Sequence, residues 1–194
     1  VSSTETPASG APIVNIIREK VALGPLTRDL VPLLTRWSND FAARMNIGPP
    51  LPRTLEQRTA QFERDAVGEE GIDFAVYARA TWRPIGTVSL FNIDHRNGCA
   101  DFGILIGEPE DRGKGYGAEA TRLTLDYAFT ALGLRNVGLT VAEWNVAGRQ
   151  AYARAGFKEF GSRRSCRWSA GRWWDDIHMD ALATEFADPT SAKV

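Results

Sequence analysis

Arg112-Gly113-Lys114-Gly115-Tyr116-Gly117-Ala118-Glu119-Ala120 places three glycines in a basic segment that opens directly into a helical pattern. Glycine admits backbone conformations that a side chain forbids, so successive N–H groups converge on one acceptor. A helix beginning there adds unpaired amides and the positive end of its dipole, an arrangement suited to phosphate. The stretch reads as an anion-binding loop. Its donors are the backbone amides of Arg112, Gly113, Lys114, Gly115, Tyr116 and Gly117, with the Arg112 and Lys114 cations beside them.

Upstream of the loop the hydrophobic period is two. Residues 72–80, 85–92 and 98–106 alternate as strands, and the short connections at Arg83-Pro84 and at 94–98 make them an antiparallel meander. Before them, 19–25 reads as a first strand, and Leu30, Leu33, Leu34 and Trp37 lay an apolar stripe on a helix after Thr27. Thr54 with Gln57 forms a capping-box signature for a second helix. Between these helices, residues 39–52 hold too many prolines and glycines for regular structure.

Downstream, a helix runs from about 116 to 132 with little polar face, so it should be heavily buried, and Gly133 ends it. A strand at 135–143 follows, and a strand, helix and strand in this order predict a parallel pair. Asn145 caps a helix that stops at Gly156, and 157–168 with 173–181 form a closing hairpin. Tyr152 stands seven residues after Asn145, almost two turns, so both face one side of that helix. The expected organisation is one domain over residues 15–183, with tails at 1–14 and 184–194.

Composition narrows the functional classes. A formal net charge of -1 without runs of like charge argues against a nucleic-acid partner. Cys99 and Cys166 stand far apart with no ligand-spaced histidine, which argues against a metal site or a disulfide framework. No apolar run reaches spanning length and no signal peptide opens the chain, so the expectation is a soluble cytoplasmic protein without a membrane partner.

Two common phosphate loops fit poorly. A nucleoside-triphosphate loop needs Ser or Thr after its lysine, and Lys114 is followed by Gly115. Gly113, Gly115 and Ala118 match a dinucleotide fingerprint, but the strand before them sits in a meander and the acidic Glu143 comes late, so an NAD(P)-binding oxidoreductase is a remote alternative. Instead, Arg112-x-x-Gly115-x-Gly117, followed by Asn145 and by Ala151-Tyr152-Ala153-Arg154-Ala155-Gly156-Phe157, resembles the GNAT superfamily of N-acetyltransferases. The resemblance covers about residues 20–182. Glu119-Ala120, the Asn145-Val146-Ala147 helix start and the hairpin Gly171-Arg172-Trp173-Trp174-Asp175-Asp176 look most like the RimJ/RimL branch.

The resemblance implies a single α/β domain, a mixed and mostly antiparallel sheet of about six to seven strands flanked by about four helices. It implies acetyl-CoA as cosubstrate, no metal, and transfer of acetyl to a protein N-terminus, peptide or small-molecule amine by direct attack. A non-catalytic acyl-CoA-binding sensor is the alternative, and a homodimer is allowed. Loop amides would hold the CoA pyrophosphate, and an N–H near Leu105 or Ile106 would face the thioester oxygen. Tyr152 would protonate the leaving thiolate, against the plainer reading of a packing residue. Asn145 either touches the pantetheine arm or only caps its helix. Asp101, eleven residues before Arg112, matches the place of a base, but an ordered water or a purely structural carboxylate serves equally. No acidic cluster appears in 39–54, which disfavours a dedicated polyamine site.

Overall fold

The computed structural model describes residues 12–48, 51–68 and 71–186; apart from 12–14 and 184–186, the expected tails lie outside the described residues. Strands β1 (Ile16–Ile17) and β2 (Val21–Pro25) precede helices α1 (Val31–Ser38), α2 (Phe41–Arg44) and α3 (Leu55–Asp65). The meander β3 (Gly71–Ala78), β4 (Arg83–Asp94) and β5 (Cys99–Ile106) leads into α4 (Tyr116–Asp126), followed by β6 (Asn136–Ala142) and α5 (Val146–Ala155). The hairpin β7 (Lys158–Ser169) and β8 (Arg172–Leu182) closes the fold. All eight strands join one sheet in the order β1-β2-β3-β4-β5-β6-β8-β7. Every neighbouring pair is antiparallel except β5 and β6, the pair predicted to be parallel.

Among the described residues, eight strands and five α-helices exceed the sequence expectation by β1 and α2. At two residues, β1 is too short to show alternation. The α2 turn forms among breakers because the Asp40 carboxylate accepts from the N–H groups of Ala42 and Ala43 at 3.0 and 3.4 Å. Thr54 and Gln57 complete their reciprocal capping box at the start of α3, as expected.

The main core lies between α4 and one sheet face. Ala120, Leu123 and Leu125 are fully buried against alternate strand residues such as Val21, Val76 and Val88. Thr121 and Thr124, also fully buried, donate to the carbonyls of Gly117 and Ala120 at 2.7 and 2.9 Å, so no hydroxyl is stranded. The helix does not run unbroken to 132. From Tyr127 to Ala131 it widens into a π turn, where Leu132 N–H reaches the Tyr127 carbonyl at 3.2 Å. Thr130 contributes by donating its hydroxyl to the Asp126 carbonyl at 2.6 Å, in competition with the α-helical ladder.

The sheet opens where β5 meets β6. Their pairing covers only Cys99↔Asn136, Ala100↔Val137 and Asp101↔Gly138; β5 then continues along β4 while β6 continues along β8. Gly107 N–H bonds the Ile85 carbonyl at 2.9 Å. The antiparallel alternation from that bond turns Leu105 toward Thr87 and leaves the N–H and C=O of Ile104 and Ile106 facing the gap.

Candidate active site

The gap between β5 and α5 is a cleft of about 670 Å³. Ile104, Leu105 and Ile106 line one side, Asn145 and Tyr152 the other, and the glycine loop closes one end. Gly113 and Gly115 adopt positive φ, +76° and +87°, conformations that turn consecutive amides the same way. A Cβ built on Gly113 meets no atom of the described residues within 4 Å, so among them the space above the loop is open to a guest. The α4 helix begins at Tyr116 with no side-chain cap, leaving its first amides for an anion.

The basic side chains divide differently from expectation. The Arg112 guanidinium turns back to donate to the carbonyls of Ile106 and Gly107 at 3.3 and 2.7 Å and to Asp40 at 3.3 Å. It ties the α2 turn to the end of β5. Lys20, from the β1–β2 turn, reaches the loop instead, with its ammonium 3.4 Å from the Lys114 carbonyl. Glu119 delivers it by accepting from the N–H groups of Lys20 and Val21 at 2.7 and 3.1 Å. Lys20 and Lys114 both line the cleft.

Tyr152 packs edge-on against Phe102, with ring centroids 6.3 Å apart, and against Phe157 at 6.0 Å. Burial pushes its phenol up to about 12. Asn145 accepts from Gly148 N–H at 2.9 Å and so caps α5 while also lining the cleft. Tyr116 packs partly buried against the core and leaves the loop only its backbone.

Asp101 does not line the cleft. Its neighbours Ala100 and Phe102 point into the core, so Asp101 faces the opposite side of the sheet. There it accepts from Asn92 Nδ2 at 2.8 Å, Asn92 sitting at positive φ in the β4 bulge before Asp94. The structure thus gathers Leu105, Ile106, Arg112, Gly113, Lys114, Gly115, Gly117, Asn145 and Tyr152 around one cleft and leaves Asp101 on the adjoining face. Sequence reasoning missed Lys20, Ile104, Gln150 and Arg154, which also line it. Only Ile104 carried a usable signal, since strand alternation beside a splayed neighbour identifies the open amides.

A helix N-terminus behind a glycine loop, set beside a strand edge with unpaired amides, is the geometry of an acyl-CoA-dependent transferase. The chain matches the family model described as an acetyltransferase (GNAT) domain over residues 20–158 and belongs to that family. It is an acetyl-CoA-dependent N-acetyltransferase. Over 153 residues it is 30% identical to the uncharacterized N-acetyltransferase p20 of Bacillus licheniformis, spanning 78% of this chain and 85% of that protein. It is 34% identical over 102 residues to a spermidine N(1)-acetyltransferase of Vibrio cholerae, spanning 53% and 58% respectively. The crystal structure of the Vibrio cholerae spermidine N-acetyltransferase in complex with CoA and spermine superposes with a TM-score of 0.81 at 25% identity, covering 87% of this chain and 99% of that one.

Proposed function

We propose that residues 15–183 form the catalytic unit and move acetyl from the thioester to a small-molecule amine by direct attack, with both substrates bound together. The observation that carries this reading is the unpaired edge of β5 facing Tyr152 across the cleft. The pantetheine arm takes the place of a missing neighbour strand along Ile104 and Ile106, and the loop amides with Lys20 and Lys114 hold its pyrophosphate. Tyr152 contacts Phe102, so it marks the depth of the sulfur. At that depth the open N–H is that of Ile104, two residues along, and it receives the carbonyl oxygen as negative charge develops. Leu105, turned toward β4, lines the cleft without offering its amide.

The amine nitrogen bonds to the acetyl carbon, the carbon–sulfur bond breaks, and the sulfur leaves with the electron pair. The Tyr152 hydroxyl donates a hydrogen bond to that sulfur as it leaves as a thiolate. The ammonium proton leaves on the other face of the sheet through water to Asp101, which Asn92 holds in place. Full transfer from a phenol near 12 to a thiolate whose thiol sits near 8.5 is uphill by about 3.5 units, or about 5 kcal/mol. Tyr152 therefore stabilises the departing sulfur chiefly through a charge-assisted hydrogen bond.

The motif around Asn145 and the Trp173-Trp174 hairpin supports a RimJ/RimL-like placement, while the relatives named above are spermidine and uncharacterized N-acetyltransferases. Small amines are common to both, and we take them as the acceptor class ahead of peptides. The test is release of free CoA thiol from acetyl-CoA across a panel of small amines, polyamines and short peptides. Turnover of small amines is expected. Binding of CoA without turnover of any amine would overturn the reading in favour of a sensor.

A further inference from the structure

A second cavity, of about 370 Å³, lies on the sheet face away from α4. Asp73 of β3 with Thr87 and Ser89 of β4 line its sheet side; Leu34 of α1 and Arg58 and Phe62 of α3 line its helix side. Thr87 and Ser89 alternate with Val88, which is buried in the main core, so both point toward this cavity. Thr87 is the direct partner of Leu105, which lines the cofactor cleft, so the two spaces stand about one strand spacing, some 5 Å, apart. Asp101 shares this face.

Arg58 is the unusual group here. It is half-buried, and among the described residues its one hydrogen-bond partner is the neutral Gln61 amide at 3.1 Å, with no carboxylate in ion-pair range. Desolvation lowers its pKa first, and repulsion from Arg44 adds to this; Asp73 and Asp65 act the other way, and Arg53 opposes them again. Arg44 is lowered likewise, by burial and by Arg53. Asp73 is meanwhile occupied by the Ser89 hydroxyl. Arg58 thus lines the cavity with Gln61 as its hydrogen-bond partner among the described residues, while Asp65 and Asp73 stand on the same wall outside ion-pair range. A desolvated cation in that state is costly, and a planar fork of donors is matched by a carboxylate.

We propose that this cavity is the acceptor pocket and that Arg58 binds a carboxylate carried by the acceptor amine; the proposal rests on the N-acetyltransferase reading above. The anion sits on Arg58, and the chain of the acceptor passes over Thr87 toward the open edge of β5. Asp65 and Asp73, which also line the cavity, favour a monoanion over a doubly charged phosphate. A polyamine can rest on Asp65 and Asp73 but offers the Arg58 donors no acceptor, so the carboxylate-bearing amine is the better match for Arg58, in contrast to the spermine-bound neighbour.

The test compares β-alanine with β-alaninamide at matched concentrations of free base, with spermidine and O-phosphoethanolamine as further arms, in the thiol-release assay. A hydrogen bond to a charged group corresponds to a preference of about tenfold or more in kcat/KM for the acid. Arg58→Gln should reduce the ratio of acid to carboxamide to about one, with CoA binding and the melting temperature as checks on folding. Equal use of acid and carboxamide, faster turnover of spermidine or of the phosphate ester, or an equal loss for both probes in Arg58→Gln would overturn it. Thermal shift of the CoA-bound protein by N-acetyl-β-alanine and by its carboxamide separates the two levels. A larger shift with the acid, lost in Arg58→Gln, upholds the pocket even where turnover is absent and the enzyme reading fails. No difference between the two overturns the pocket.

Discussion

One guanidinium nitrogen of Arg83 lies 2.8 Å from each oxygen of the Asp111 carboxylate, and that carboxylate is only 3% exposed. Arg83 is the first residue of β4 and Asp111 directly precedes the glycine loop, so the pair fixes the loop to the sheet. Arg83→Met leaves a buried carboxylate without its charged partner. Because Arg83 itself is partly exposed, the loss should fall below the ~3–5 kcal/mol of a fully buried pair. Urea unfolding should show a lower midpoint, and calorimetric titration should show weaker CoA binding. Unchanged CoA affinity would mean that the loop backbone holds its shape without this anchor.

Tyr152→Phe removes the donor to sulfur and keeps the ring contacts with Phe102 and Phe157. We expect kcat to fall about ten- to a hundredfold, the worth of a hydrogen bond to a charged group, while CoA affinity stays near that of the parent protein. The pH behaviour follows from the raised phenol. A folded-state pKa of about 12 against 10.0 means that the native state holds this proton more tightly. The associated stability is fully present below pH 10 and is lost as pH rises through about 12. The parent enzyme should therefore show no alkaline loss of activity from Tyr152 below about pH 11. A steady-state pH profile falling near pH 10 in the parent and flat in Tyr152→Phe would contradict this.

Glycines of similar appearance in sequence do different work. A Cβ on Gly107 would lie 2.1 Å from the Trp37 ring, which packs on it while its indole N–H donates to Glu108 at 2.8 Å. Gly107→Ala must displace α1 and should cost about 1–3 kcal/mol of stability. Gly113→Ala meets no atom of the described residues but imposes a side chain at φ +76° and fills the space above the loop amides. It should cost about 1–2 kcal/mol through the backbone and weaken CoA binding more than Gly107→Ala does. Melting temperature and CoA dissociation constant, measured for both variants, should rank them in opposite orders.

The parts of the fold legible in sequence are those set by local chemistry. Thr54 and Gln57 announced α3, Gly133 and Gly156 ended their segments, and the order of elements around α4 required β5 and β6 to be parallel. The cleft was legible at its loop and at Asn145 and Tyr152 because each sits at a turn or on a helix face with a fixed period. Lys20 was not, since its approach to Lys114 spans 94 residues and depends on Glu119 pinning the β1–β2 turn. The true partners of Arg112 were hidden for the same reason, as Asp40 reaches it only after α2 forms. Arg58 gave no signal because its place on the wall of the second cavity is set by the packing of α3 on the sheet.

Asn145 separates capping from ligand contact. Its side-chain oxygen accepts from Gly148 N–H, while the residue also lines the cleft. Asn145→Ala removes the cap and should cost about 1 kcal/mol of stability. Asn145→Asp keeps the accepting oxygen and adds a negative charge at the helix N-terminus, so stability should return. It lacks the amide donors, however, and a lost neutral hydrogen bond to the pantetheine arm should raise KM for acetyl-CoA by several-fold to about tenfold. The expected pattern is a melting temperature restored in Asn145→Asp with KM still raised. Recovery of both together would assign Asn145 to capping alone.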